Sequence, residues 1–146
     1  MEIRQATVLD SSFILSMLVA MHEESEFKLG PIDPKKFSQS VLSVINDGIW
    51  LVAIGDDNKF LGSIGGVYSS EWWTNETILG DIWFYVYQEH RNTKAAIQLI
   101  KKFIEAGDGM NIKLGHVYNG DLNRKDNFYE RLGLVKAGST YVKENL

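Results

Sequence analysis

Asp81-Ile-Trp-Phe-Tyr-Val-Tyr-Gln-Glu-His-Arg-Asn-Thr-Lys-Ala-Ala-Ile-Gln-Leu-Ile100 is the stretch that decides the fold. Six apolar or aromatic residues run without a polar interruption from Ile82 to Tyr87. Such a run predicts a strand buried on both faces. Downstream, Ala96, Leu99, Ile100, Phe103 and Ile104 fall at i, i+3, i+4, i+7 and i+8, the stripe of an amphipathic helix. Between them lies a short polar turn, Gln88 to Lys94. A strand that turns tightly into a helix leaves backbone N–H groups open at the helix start, a place suited to an anion such as phosphate.

Working outward, Glu2 to Ala6 reads as a short strand. Asp10 or Ser11 caps a helix carrying Ile14, Met17, Leu18 and Met21, which the polar stretch Glu23-Glu-Ser-Glu26 ends. Asp33-Pro34 starts a second helix, striped by Phe37, Val41, Val44 and Ile45 and stopped by Gly48. Ile49–Ile54 and Phe60–Tyr68 read as a hairpin, its second strand loosened by Gly62, Gly65 and Gly66, which suggest a bulge or a close backbone approach. After the long helix, which ends at Gly107-Asp-Gly109, Ile112 to Tyr118 reads as a strand. Asp121 caps a short helix bearing Leu122, Lys125, Tyr129 and Leu132, and Gly133 closes it in the left-handed region. Val135 and Tyr141-Val142 are expected to supply a last hairpin.

The strand-turn-helix stretch, taken with Asn127-Phe-Tyr-Glu-Arg-Leu-Gly-Leu134, resembles the GNAT superfamily of acyl-CoA-dependent N-acyltransferases. The family run of hydrophobic-x-Val-x-x-x-x-Arg-Gly-x-Gly-x-Gly/Ala is matched at Phe84, Val86, Arg91 and Ala96. Its later Phe-Tyr-x-x-x-Gly-Phe is matched at Phe128, Tyr129, Gly133 and Leu134. Two departures stand out. Asn92 and Lys94 occupy the positions of the usual loop glycines, so the loop is degenerate. The Asn usually found six residues before the Phe is Leu122, with Asn123 one step out of register. The resemblance extends in outline over nearly the whole chain. It implies a single α/β domain over residues 1–146, with a mixed, mostly antiparallel central sheet flanked by about four helices.

The same resemblance implies a function: transfer of an acetyl group from acetyl-CoA to a primary amine by direct attack. The CoA would be held by the strand end at Tyr85 and Val86, by the turn Arg91, Asn92, Thr93, Lys94, Ala95 and Ala96, and by Asn123. Tyr129 falls at the family's usual general acid, which gives a proton to the departing thiolate. A phenol with an ordinary pKa near ~10 stays protonated at neutral pH and suits that step. Asp81 is placed first as base, with Glu71, Glu76, Glu24, His116 and a water relay left open. Trp72, Trp73 and Glu24 are candidates for the acceptor site, where aromatic faces and carboxylates favour a small or peptidic cationic amine. The Trp pair reads equally as a lid or as a homodimer contact. A GNAT-fold module without catalysis remains the alternative, favoured by the missing loop glycines; a chance match on an unrelated α/β scaffold is the other rival.

Composition narrows the partners. The chain has 146 residues, 45% hydrophobic and 23% charged, which suits one globular domain. Its net charge of −4, with Lys and Arg scattered, argues against a nucleic-acid partner. There is no cysteine, which removes disulfides, thiolate nucleophiles and Cys-based zinc sites, and no metal is expected. No apolar run approaches the ~20 residues of a membrane span. The N-terminal residues lack a signal-peptide pattern. A cytoplasmic protein is the expectation.

Overall fold

A computed structural model describes residues 1–115 and 121–145. Five strands form one sheet: β1 (Glu2–Gln5), β2 (Ile49–Ile54), β3 (Phe60–Ser69), β4 (Ile78–Val86) and β5 (Asn111–Lys113), in that spatial order. All neighbours are antiparallel except β4 and β5, which run parallel. Four helices complete the described fold: α1 (Ser11–Glu24), α2 (Pro34–Asp47), α3 (Ala95–Ala106) and α4 (Leu122–Arg131). The parallel pair is joined through α3, as parallel strands require a crossover.

The sheet is buried on both faces. One face packs Trp50, Val52, Ile54, Trp83 and Tyr85 against Ile14 and Met17 of α1 and Val41 and Val44 of α2. The other packs Ala53, Ile64, Leu79 and Val86 against Leu99, Ile100 and Phe103 of α3, with Phe128, Tyr129 and Leu132 of α4 at the margin. β4 sends Trp83 and Tyr85 to the first face and Phe84 and Val86 to the second, so its unbroken apolar run is explained. Ile82 is the exception, at 55% exposed. Gly65 pairs with Trp83 and Gly66 with Asp81, which leaves Ile82 as the extra residue of a bulge. The glycines are needed there: a Cβ on Gly65 would stand 2.4 Å from the Trp50 ring, and one on Gly66 2.4 Å from Phe103.

Local start and stop signals explain the helix ends. The Asp33 carboxylate accepts from the N–H groups of Lys35 and Lys36, both at 3.1 Å, with Pro34 at the first position. Asp121 accepts from the Arg124 N–H at 3.1 Å, and Gly133 follows α4 with φ +87°. Asp10 precedes α1 but does not cap it with its side chain. It accepts from the Thr7 N–H at 2.8 Å and pairs with both Arg4 guanidinium nitrogens at 2.8 and 3.0 Å.

Two expectations at the C-terminal end are corrected. The strand expected from Ile112 to Tyr118 ends at Lys113, and its residues 116–118 lie outside the described residues. No strand forms within 134–145, so the expected last hairpin is not seen; Val135 and Tyr141 are 90% and 93% exposed. β-forming residues make a strand only where an edge receives them, and β5 presents a three-residue edge.

Candidate functional site

β4 and β5 pair through Ile78/Asn111, Leu79/Ile112 and Gly80/Lys113, and then part. At the next step the Gly115 N–H donates to the Asp81 side chain, Oδ1, at 2.9 Å instead of continuing the ladder. A side chain thus takes the place of backbone pairing where the two strands separate. From α4, the Tyr129 hydroxyl donates to the carbonyl of the same Gly115 at 3.1 Å. One glycine therefore gathers the candidate acid and the candidate base. Burial first, and then the nearby Asp81 carboxylate, push the Tyr129 phenol above its ordinary range. It stays protonated as a donor.

Asp81 and Tyr129 line a cleft of about 1300 Å³ between the β3–β5 edge, α4 and residues 134–142. Glu26 and Phe27, just after α1, close one side. The lining holds five carboxylates, Glu26, Glu71, Asp81, Asp126 and Glu130, against two ammonium groups. Both cations are already paired: Lys113 with Glu71 at 2.7 Å, and Lys136 with Asp126 at 3.0 Å. The balance favours a cation.

A second cluster forms at the far end of β4. Arg91 folds back over the strand: its Nε donates to the Val86 carbonyl at 2.9 Å, and Nη2 meets Glu24 Oε1 at 2.8 Å. Its guanidinium carbon lies 5.4 Å from the centre of the Tyr85 ring. The Tyr85 hydroxyl donates to Glu24 Oε2. Burial, followed by that hydrogen bond, pushes the Tyr85 phenol up. Lys125, one turn before Tyr129 on α4, is pushed down by burial and then by Arg91, with Glu24 opposing.

The turn itself fits an anion in part. Thr93 Oγ1 accepts from the Ala95 N–H at 3.3 Å, and the Lys94 carbonyl from the Gln98 N–H at 3.0 Å. The first-turn N–H groups of Ala96 and Ile97 fall between them, the open donors of a helix start. Neither Asn92 nor Lys94 has a positive φ, so the missing glycines leave no strained backbone behind. What they take away is space, because each position now carries a Cβ. Lys94 is exposed and adds a cation.

The remaining candidates are scattered. Trp72 and Trp73 stand out from the loop between β3 and β4, 90% and 66% exposed, packed edge-to-face on each other at 5.5 Å. They do not line the cleft, which Glu71 reaches from the same loop. Glu24 stands with Arg91 instead of in the cleft. Glu76 belongs to the loop before β4, Asn123 is exposed on α4, and His116 lies outside the described residues. Lys125 was missed as a site residue, although its place four residues before Tyr129 on a helical stripe put both on one face. Among the described residues no group of His, Asp and Glu could hold a metal ion, and no helix is long and apolar enough to cross a membrane.

No protein-family model matches the sequence, and no curated protein sequence does either. Solved structures do match. A possible acetyltransferase from Clostridium difficile 630 is 18% identical with a TM-score of 0.74, over 99% of this chain and 97% of that one. A ribosomal-protein-alanine N-acetyltransferase from Brucella melitensis biovar Abortus 2308 is 18% identical with a TM-score of 0.68, over 99% and 100%. Glucosamine-6-phosphate N-acetyltransferase from Arabidopsis thaliana is 12% identical with a TM-score of 0.71, over 98% and 97%.

Proposed function

We propose that this chain, which has the α/β fold of the GNAT acetyltransferases, transfers an acetyl group from acetyl-CoA to a primary amine. The observation that carries the reading is the meeting of Tyr129 and Asp81 on Gly115 where β4 and β5 part. In the reaction the amine nitrogen attacks the thioester carbonyl carbon, and the C–S bond breaks. Asp81 takes the proton that the ammonium must lose, directly or through water. Tyr129 turns its hydroxyl from the Gly115 carbonyl to the departing sulfur and protonates it, and regains a proton through water from the nitrogen as the amide forms. Backbone N–H groups of β4 just beyond Asp81, where it parts from β5, supply donors for the developing oxyanion. The first turn of α3 and Lys94 receive the phosphates. No enzyme-bound acyl group is needed, and the chain has no cysteine to form one.

The acceptor we propose is a cationic amine, small or peptidic, drawn by the carboxylates of the cleft. Similar structures are named for acceptors as different as a ribosomal protein and glucosamine-6-phosphate, so the fold leaves the acceptor open. A second reading, a GNAT-fold binding module without catalysis, is favoured by the Arg91–Glu24 pair, which already occupies the guanidinium.

Thermal shift tests the cofactor. At ~100 times its Kd, acetyl-CoA adds about 2.7 kcal/mol, or roughly 5–10 °C for a chain of this size. No shift at millimolar acetyl-CoA would remove the acetyltransferase reading. A thiol-reagent assay for released CoA, run over amines, polyamines, aminoglycosides and peptides, then finds the acceptor. The absence of cysteine gives that assay no background from the protein.

A further inference from the structure

Arg91 stands in the turn proposed for the cofactor, and Glu24 ends the helix whose following residues, Glu26 and Phe27, line the cleft. The structure joins these two distant points of the chain by an ion pair at 2.8 Å. A guanidinium does not lose its charge in a protein, so its partner changes only by exchange. We infer that Glu24 is a built-in competitor for the anionic part of acyl-CoA at Arg91, and that binding of the anion takes Arg91 and releases the Glu24 carboxylate toward the acceptor side. The inference rests on the acyl-CoA reading and adds to it a link between the two substrates.

The geometry of the cluster supports an exchange. Arg91 is anchored independently of Glu24 by its Nε bond to the Val86 carbonyl and by the Tyr85 ring, so it keeps its place when the partner changes. Released Glu24 keeps a donor in the Tyr85 hydroxyl and is not left buried without one. Lys125 faces the same pair, and burial and then Arg91 depress its ammonium. A phosphate that takes Arg91 lies within the charge of Lys125 as well, and open N–H groups at the start of α3 follow a few residues on in the chain. The released carboxylate, two residues before Glu26 of the cleft lining, then adds one more negative charge to the acceptor side. Linkage makes the effect mutual: whatever the cofactor gives the cation, the cation returns to the cofactor.

The test is calorimetric binding of CoA, without acceptor and at one ionic strength, to the wild type, Glu24→Gln, Arg91→Gln and the double variant. Gln is nearly isosteric with Glu and still accepts from the Tyr85 hydroxyl, so the fold is kept; circular dichroism and the melting temperature check this. The expected result is a roughly three- to ten-fold tighter Kd in Glu24→Gln, the yield of removing a half-buried competitor. That gain should vanish in the Arg91→Gln background, where there is nothing to compete for. An unchanged or weaker Kd in Glu24→Gln, or a gain that survives in the double variant, would overturn the inference while leaving the acetyltransferase reading standing. Absence of CoA binding by the wild type would overturn both.

Discussion

Tyr129→Phe deletes one oxygen and separates what the hydroxyl does for the fold from what it does for the reaction. In the resting structure that hydroxyl donates to the Gly115 carbonyl at 3.1 Å, near the surface. Once it is gone, water can reach the carbonyl, and the loss is about 0.5–1 kcal/mol. The ring still packs beside Phe128 at the margin of the α3 core. A drop of only ~1–4 °C in melting temperature follows. Loss of a general acid costs about 10²–10⁴ in rate, or roughly 2.7–5.4 kcal/mol at the transition state. The kinetic effect therefore exceeds the structural one several-fold. The assay is kcat at saturating acetyl-CoA with the best acceptor from the amine screen, followed across pH. Because burial and Asp81 raise the phenol, the wild type should show no alkaline decline from Tyr129 below its ordinary pKa of ~10. A kcat within two-fold of wild type in Tyr129→Phe would refute the assignment and leave the proton to water.

Gly66→Ala should destabilise by about 1–3 kcal/mol, read as a lower urea midpoint, because its Cβ would lie 2.4 Å from fully buried Phe103 and 2.7 Å from the Gly80 carbonyl. Gly80→Ala is the control, its nearest contact an ordinary 3.6 Å. Ser63→Ala removes the acceptor of the buried Trp83 indole N–H at 2.8 Å, and a loss of about 1–3 kcal/mol with a changed near-UV spectrum is expected. The Asp10 carboxyl is held below its ordinary range, first by its hydrogen bond from Arg4. Its contribution to stability is present above the unfolded pKa of ~3.9 and is lost as pH falls through the lower folded value. The stability gap between wild type and Asp10→Asn should thus be wide at pH 7 and close in acid; a gap unchanged at pH 2.5 would contradict the pairing.

Features carried by neighbours in the chain were legible. Asp33 and Asp121 cap helices through bonds that span two or three residues, so the residue type and its place suffice. The apolar run of β4 announced burial on two faces, and the glycines of β3 announced the bulge. Which residue the bulge would expel was not legible: Ile82 is exposed because Gly65 and Gly66 pair with Trp83 and Asp81, a matter of register between strands. The last hairpin failed for a related reason, since strand-forming residues do not tell where an edge ends. Tyr129 follows from its motif position and Asp81 from its place at the start of the buried strand, and their shared partner Gly115 emerges only in three dimensions. The turn position of Arg91 reads as a place for a phosphate ligand, yet its partner in the structure, Glu24, ends α1 far back in the sequence. No local pattern predicts such a pairing.

The sheet lists its strands in the order in which they leave the ribosome. β1 to β4 can therefore be laid edge on edge while synthesis continues, and only β5 waits for α3 to cross over. α3 brings four fully buried residues to that step, whereas α4, which follows, brings none. The gap between β4 and β5 is accordingly completed only after α3 has crossed over. A chain cut after α3 would keep most of both apolar clusters and lose β5, Gly115 and Tyr129 together. The proposed acid, base and their shared glycine thus depend on residues after α3 more than the two apolar clusters do, and substitutions there are expected to abolish the proposed activity before they unfold the sheet.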